Sequence, residues 1–204
     1  MGMNLTETGN LVLVDRKGTN IWASFDNPTD SWVLRQTLTE GQRLMANVAT
    51  SNWTEGQLYL SVVKGGLKAF VGSSPPQLYY KKGLFDTIAP NRTTYIIFVN
   101  GSLEIFTLFS QADMTIALPK SLSSAQYMKL EFDGHLRLYQ LGTNGWVSND
   151  VLDVFPSDCA YPTVCGEYGI CSSGKCSCPE ETPMRFPSIF ERLMTSKLIL
   201  VAAL

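Results

Sequence analysis

The sequence predicts an all-β chain, several small antiparallel sheets followed by a short disulfide-rich module, and three observations carry that prediction. A turn-and-strand unit of the form Gly-x-Leu-x-apolar recurs four times. Charged residues make up only 17%, against Gly 16, Pro 10, Tyr 8 and Phe 10, a balance that favours turns and strands over long exposed helices. All five cysteines lie between Cys159 and Cys178, and the preceding part of the chain has none. With 204 residues the chain is one fair-sized domain or two small ones, long enough to bury a core without metal or crosslinks.

The first copy of the unit is Gly9-Asn10-Leu11-Val12-Leu13-Val14. The others are Gly65-Gly66-Leu67-Lys68-Ala69-Phe70, Gly101-Ser102-Leu103-Glu104-Ile105-Phe106 and Gly134-His135-Leu136-Arg137-Leu138-Tyr139. Each reads as a glycine turn opening a strand. In the last three, Leu and the apolar residue two places on face one side while Lys68, Glu104 and Arg137 face the other, the alternation of a half-buried strand. Their starts at Gly65, Gly101 and Gly134 are 36 and 33 residues apart, a spacing of small sheets that bury one shared core. A second similarity aligns TETGNLVLVDRKGTNIW, Thr6 to Trp22, with EFDGHLRLYQLGTNGW, Glu131 to Trp146, at the cost of a one-residue gap. The shared Gly-Thr-Asn-x-Trp tail reads as a duplication and predicts equivalent packing positions for Trp22 and Trp146.

Lys+Arg 16 against Asp+Glu 18 gives a net charge of -2, which predicts no basic field for nucleic acid, anionic lipid or other polyanions. The single histidine, His135, leaves little room for His-based acid/base chemistry or His-rich metal sites, so no cofactor and no metal are expected. Four N-x-[ST] sequons, at Asn4, Asn52, Asn91 and Asn100, together with clustered cysteines, point to the secretory pathway. The start, MGMNLTETGN, lacks a signal peptide's basic and apolar regions, and the natural start is expected to lie elsewhere. Gly2 and Thr6 fit a myristoylation pattern but sit within a strand-like segment, which is read as structural. The run Leu198 to Leu204 is too short for a membrane span. Ser188 and Glu191 have capping-box spacing ahead of an apolar helix over Ile189 to Leu204, read as an out-of-context tail.

At these residues a family resemblance becomes specific. GNLVLVD followed by IWASFDNPTDSWVLRQTL resembles the end of a plant bulb-type (G-type) lectin domain, a three-sided β-prism. On this resemblance residues 1–45 are the carboxy-terminal part of such a domain. Residues 46–155 are similar to the S-locus glycoprotein region, itself a second, degenerate lectin-like prism. DCAYPTVCGEYGICSSGKCSCP, Asp158 to Pro179, looks like the EGF-type module that follows in G-type lectin S-receptor-like serine/threonine kinases. The implied module covers 156–179 and is incomplete, and 180–204 form a divergent tail. The resemblance implies pairing of Cys159 with Cys171 and of Cys165 with Cys176, which leaves Cys178 a free thiol. The spacing does not suit zinc, and calcium ligands are lacking. The family's usual order continues with a PAN/apple module, a membrane span and a kinase. Their motifs are not in this sequence, which looks truncated, so no catalytic residue is assigned.

The lectin family's mannose motif is Q-x-D-x-N-x-V-x-Y, whose five named side chains alternate onto one strand face. In the first copy its places hold Thr6, Thr8, Asn10, Val12 and Val14, so only Asn10 and Val12 match. In the later copy they hold Glu131, Asp133, His135, Arg137 and Tyr139, so only Asp133 and Tyr139 match, with a cation where the valine should be. Both sites read as degenerate, and a site that loses hydrogen-bonding groups loses specific affinity. The function expected is therefore the extracellular recognition part of a plasma-membrane receptor-like kinase. Its partner would be a glycan, a peptide, another ectodomain or a second copy in a homodimer, with no nucleic acid and no membrane span in this chain. A soluble wall glycoprotein or decoy from a truncated receptor gene is the alternative. A glycan-processing enzyme would need paired carboxylates, and no spacing pairs Asp30, Asp86, Asp113 and Asp133.

Overall fold

The structure, a computed structural model, describes residues 1–85, 88–89, 91–107, 111–121, 125–152, 158–166 and 168–178. Asp86, the helix expected over Ile189 to Leu204 and the 155/156 join lie outside them. The chain is all-β. Strands β1 (Gly2–Leu5), β2 (Leu11–Val14) and β3 (Asn20–Ala23) form one antiparallel sheet in that order. After a short turn come two three-residue strands, β4 (Ser31–Val33) and β5 (Thr37–Thr39). Strands β6 (Arg43–Ala49), β7 (Asn52–Val63), β8 (Gly66–Val71) and β9 (Gln77–Gly83) make a four-stranded meander. Strands β10 (Tyr95–Val99), β11 (Ser102–Phe106) and β12 (Met114–Ala117) form a second such sheet, completed by β5. Strands β13 (Gln126–Leu130), β14 (Leu136–Gly142) and β15 (Gly145–Asp150) form a third, completed by β4.

These three sheets are the sides of one prism, each centred on a hairpin that opens with a repeat glycine. Gly65, Gly101 and Gly134 have φ of 83°, 91° and 90°, and Gly9 of the first sheet has 85°; this left-handed backbone is one that side-chain-bearing residues adopt only with strain. After the glycine, alternation sends Leu67 and Ala69, Leu103 and Ile105, and Leu136 and Leu138 into the shared core, all at 1% exposure or less. Their cross-strand neighbours Val62 and Leu60, Phe98 and Ile96, and Leu130 and Met128 point the same way. Burying each of the Leu, Ile, Val, Phe and Met side chains among them contributes about 1.5–3 kcal/mol. Lys68, Glu104 and Arg137 face outward, and beside them each sheet carries one stacked aromatic pair. These are Tyr59 on Phe70, Tyr95 on Phe106 and Tyr127 on Tyr139, with ring centroids 5.1, 4.8 and 5.1 Å apart.

The segment from Ser31 to Thr39 closes two sides of the prism. Trp32 lies opposite Met128 and Leu38 opposite Ile96, both buried in the common core. Gln36, 2% exposed, holds the bend between them. Its side-chain carbonyl accepts the Val33 N–H at 2.9 Å, its backbone carbonyl accepts the Trp32 indole N–H at 2.9 Å, and its amide donates to the Phe25 carbonyl at 3.2 Å.

The first sheet behaves differently. Its Leu11 and Leu13 hold the core-facing places of the repeat, yet with Met3, Leu5 and Trp22 they form an apolar face. Met3 and Leu5 there are 72% and 67% exposed. The expected equivalence of Trp22 and Trp146 does not hold. Trp22 pairs with Leu13 on that apolar face, whereas Trp146 pairs with Leu141 on the outer face and meets Tyr127 edge-on at 5.5 Å. A β-bulge supplies the reason: Val14 lies opposite Asn20 but Leu13 opposite Trp22, so Ile21 is an extra residue. A shift of one residue turns the side chains beyond it to the opposite face, whereas β14 and β15 pair without a bulge.

Beyond the prism, residues 158–178 form a small module with a hairpin of β16 (Ile170–Ser172) and β17 (Lys175–Ser177). Disulfides join Cys159 to Cys171 and Cys165 to Cys176, and Cys178 is free and exposed. No helix among the described residues is long and apolar enough to cross a membrane.

Candidate functional site

Strand β14 and the turn before it place Glu131, Asp133, His135, Arg137 and Tyr139 along the outer side of the third sheet. Their polar groups are bound to one another. The Arg137 guanidinium donates to both oxygens of Asp133, at 3.2 and 2.8 Å. Tyr139 donates its hydroxyl to Glu131 at 2.6 Å, and the Lys129 ammonium lies 3.5 Å from Glu131 and 3.8 Å from Asp30. Burial lowers the affinity of Arg137 for its proton, but the forked bond to Asp133 outweighs it and pushes the guanidinium up. Burial and the bond to Glu131 push the Tyr139 phenol up to about 12. Asp133 and Tyr139, the two matches to the sugar motif, thus spend their hydrogen-bonding capacity inside the sheet.

His135 turns toward the disulfide module. Its Nδ1 lies 2.5 Å from Asp150 Oδ2, the Tyr161 hydroxyl donates to the same oxygen at 2.7 Å, and the two rings stack at 3.5 Å. Tyr79 from the first meander donates to the Gly134 carbonyl at 3.0 Å. Its phenol is pushed well above the ordinary tyrosine range, first by burial and then by the charges of Asp133 and Asp150. Sequence reasoning missed Asp150, Tyr161 and Gln36. Tyr161, an aromatic residue between two half-cystines, was the one available signal.

In the first sheet Asn10 faces inward to a turn. Its carbonyl oxygen accepts the Ser24 hydroxyl and the Phe25 N–H, both at 3.1 Å, and Ser24 in turn accepts the Leu11 N–H at 2.9 Å. Val12 is buried opposite Ala23. The two sequon residues that differ most are Asn52, exposed at the tip of the β6–β7 hairpin, and Asn100, whose amide clasps Ser121 through bonds of 2.8 and 3.0 Å. Asn4 and Asn91 are exposed as well. Of the carboxylates weighed for catalysis, Asp30 accepts from Asn47 and Ser31, Asp113 from Thr107, and Asp133 is held by Arg137. An open groove of about 590 Å³ runs between Thr8 in the β1–β2 turn, Arg35 in the bend between β4 and β5, and Tyr127 and Trp146 of the third sheet.

No family model matches the chain. Among curated proteins it is similar to the G-type lectin S-receptor-like serine/threonine-protein kinase SD2-5 of Arabidopsis thaliana, 29% identical over 184 residues, which cover 86% of this chain and 22% of the kinase. A second Arabidopsis thaliana protein of the same description is 30% identical over 196 residues, 89% of this chain and 21% of its own length. A third, SD2-2 of the same plant, is 50% identical over a stretch of 48 residues. The chain spans about a fifth of the length of the first two relatives.

Proposed function

Because the chain belongs to the ectodomain family of plant G-type lectin S-receptor-like kinases, we propose that it is an extracellular recognition module that binds without turnover. Its partner is a cell-surface or wall glycan, a peptide, or another ectodomain, including a second copy of this chain. The observation that carries the reading is the closed hydrogen bonding of β14. Arg137 stands at the place of the motif's valine and takes both oxygens of Asp133, while Tyr139 is committed to Glu131. A mannose entering there would meet satisfied groups and a bulky cation, so a mannose-type site is degenerate on this face. The prism then serves as a rigid three-sided support whose outer surfaces, set by alternation around one core, present side chains to a partner. The disulfides support an oxidising, extracellular setting.

The test is binding of the intact, secreted and glycosylated chain to arrays of wall glycans and receptor ectodomains, with hydrolysis of the same glycans followed in parallel. Saturable binding without product is the expected result. Release of reducing ends would overturn the reading in favour of an enzyme, and no saturable binding to any class would overturn it in favour of a structural glycoprotein.

A further inference from the structure

Equivalent rows on the three prism sides carry very different charge. Across the third sheet one outer row runs Ser31, Lys129, Arg137, Asp150, and its two cations are paired with Asp30, Glu131 and Asp133. On the second sheet the row is Thr37, Ile97, Glu104, Thr115, with no cation. On the first meander it is Arg43, Ser61, Lys68, Lys81. Among the described residues no carboxylate lies within ion-pair distance of these three cations. Arg43 instead lies over the Tyr59 ring at 5.5 Å and Lys68 over Phe85 at 4.8 Å. Lys68 and Lys81 are direct cross-strand neighbours, an arrangement of like charges that destabilises a sheet unless an anion lies between them.

The next row along the same face is Met45, Tyr59, Phe70, Leu78, with Tyr59 and Phe70 stacked. A line of cations therefore runs beside a line of apolar side chains, both crossing four strands. That pairing suits a polymer whose sugar rings set their apolar C–H sides against this row while carboxylates project regularly to one side. Lipid headgroups would need the apolar row to insert into a bilayer, but Tyr59, Phe70 and Met45 are half-buried in the sheet surface. The net charge of -2 hides this face because the compensating acids lie elsewhere on the chain.

We infer that the outer face of the β6–β9 sheet, through Arg43, Lys68 and Lys81 beside Tyr59 and Phe70, binds an acidic, uronate-containing polysaccharide. This deepens the recognition reading above and rests on it. The test is binding of the full secreted chain to polygalacturonate at low and at physiological ionic strength. Neutral mannan, anionic phosphatidylserine vesicles and single-stranded DNA serve as comparisons. Polygalacturonate is bound with strong salt dependence. The double variant Lys68→Glu/Lys81→Glu weakens that binding at least about tenfold, and Lys17→Glu, on the distant β2–β3 turn, does not. Tyr59→Ala weakens it with less change in salt dependence, which separates ring contact from charge. A circular dichroism spectrum and melting profile matching the parent chain show that the double variant is folded. Equal losses with Lys17→Glu, unchanged binding in the double variant, or equal capture of vesicles or DNA would overturn the assignment. If the chain instead binds a neutral glycan or an ectodomain and the double variant binds it equally, this inference fails while the recognition function stands.

Discussion

The imidazole of His135 lies face to face with the phenol of Tyr161, ring centroids 3.5 Å apart, and both side chains converge on one oxygen of Asp150. The contact joins the last side of the prism to a module held otherwise by two disulfides and a short hairpin, with Tyr161 itself only 4% exposed. The side chain at the place of the motif's asparagine is here a fastening between two parts of the fold.

Replacing His135 by Ala is therefore expected to loosen residues 158–178 ahead of the prism. Hydrogen exchange followed by mass spectrometry should show faster exchange in that segment and unchanged protection in β10 and β11. The lost bond to Asp150, a charged acceptor, corresponds to about 1.5–3 kcal/mol. Unchanged exchange in the module would show that the disulfides alone position it.

Trp32 fills the junction of two prism sides at 0% exposure and donates its indole N–H to the Gln36 carbonyl. Trp32→Ala should cost about 3–5 kcal/mol, read as a lower denaturation midpoint in urea. Trp32→Phe should cost clearly less, because most of the volume remains. Equal costs for the two would place the weight on the hydrogen bond rather than on packing.

At high pH the chain should lose stability through its tyrosines. Burial holds Tyr80 at about 12 and burial with the Glu131 bond holds Tyr139 at about 12, above the 10.0 of a free phenol. A folded pKa above the unfolded one means that the unfolded chain loses these protons first. The stabilisation is complete below pH 10 and is lost as pH rises toward 12. Urea melts across this window should show falling stability. Tyr80→Phe should flatten the slope, and an unchanged slope would remove Tyr80 as its source.

Restoring the sugar motif on β14 tests what closed it. Glu131→Gln, His135→Asn and Arg137→Val together rebuild Q-x-D-x-N-x-V-x-Y around Asp133 and Tyr139. The triple variant should be retained on a mannose column that the parent chain passes through. If it is folded by circular dichroism and still passes through, the neighbouring surface rather than these side chains excludes the sugar.

The sequons should separate into a tolerant and a structural class. Asn52→Gln should remove one glycan mass with stability within about 0.5 kcal/mol of the parent chain. Asn100→Gln breaks the clasp on Ser121 and should cost about 1–2 kcal/mol. Melts of the deglycosylated variants check the difference.

The hairpins at Gly65, Gly101 and Gly134 were legible because a turn glycine and period-two alternation are local signals. The sides they form share a core for the same reason: each carries its Leu on the same phase. Strands β4 and β5 were not legible, since three residues are too few for alternation and their partners β13 and β10 lie far along the chain. Trp22 and Trp146 misled because similarity in sequence ignores a register slip. Spacing alone put the five places of the sugar motif on one strand, whereas Glu131, Asp133 and His135 lie in the turn before β14 and only Arg137 and Tyr139 on the strand. Which of them bind each other depends on side-chain lengths that a motif does not weigh. The cation row was invisible to net charge, which sums over the chain and not over a sheet face.

The nine residues from Ser31 to Thr39 give the molecule a mechanical seam. Tension drawn between the first sheet and the disulfide module passes through this segment, which is held by the short ladders of β4 to β13 and β5 to β10, by the bend at Gln36, by the Arg35 N–H on the Phe98 carbonyl, and by the burial of Trp32 and Leu38. Peeling it away would open two sides of the prism at once and bare Trp32 and Leu38 to solvent.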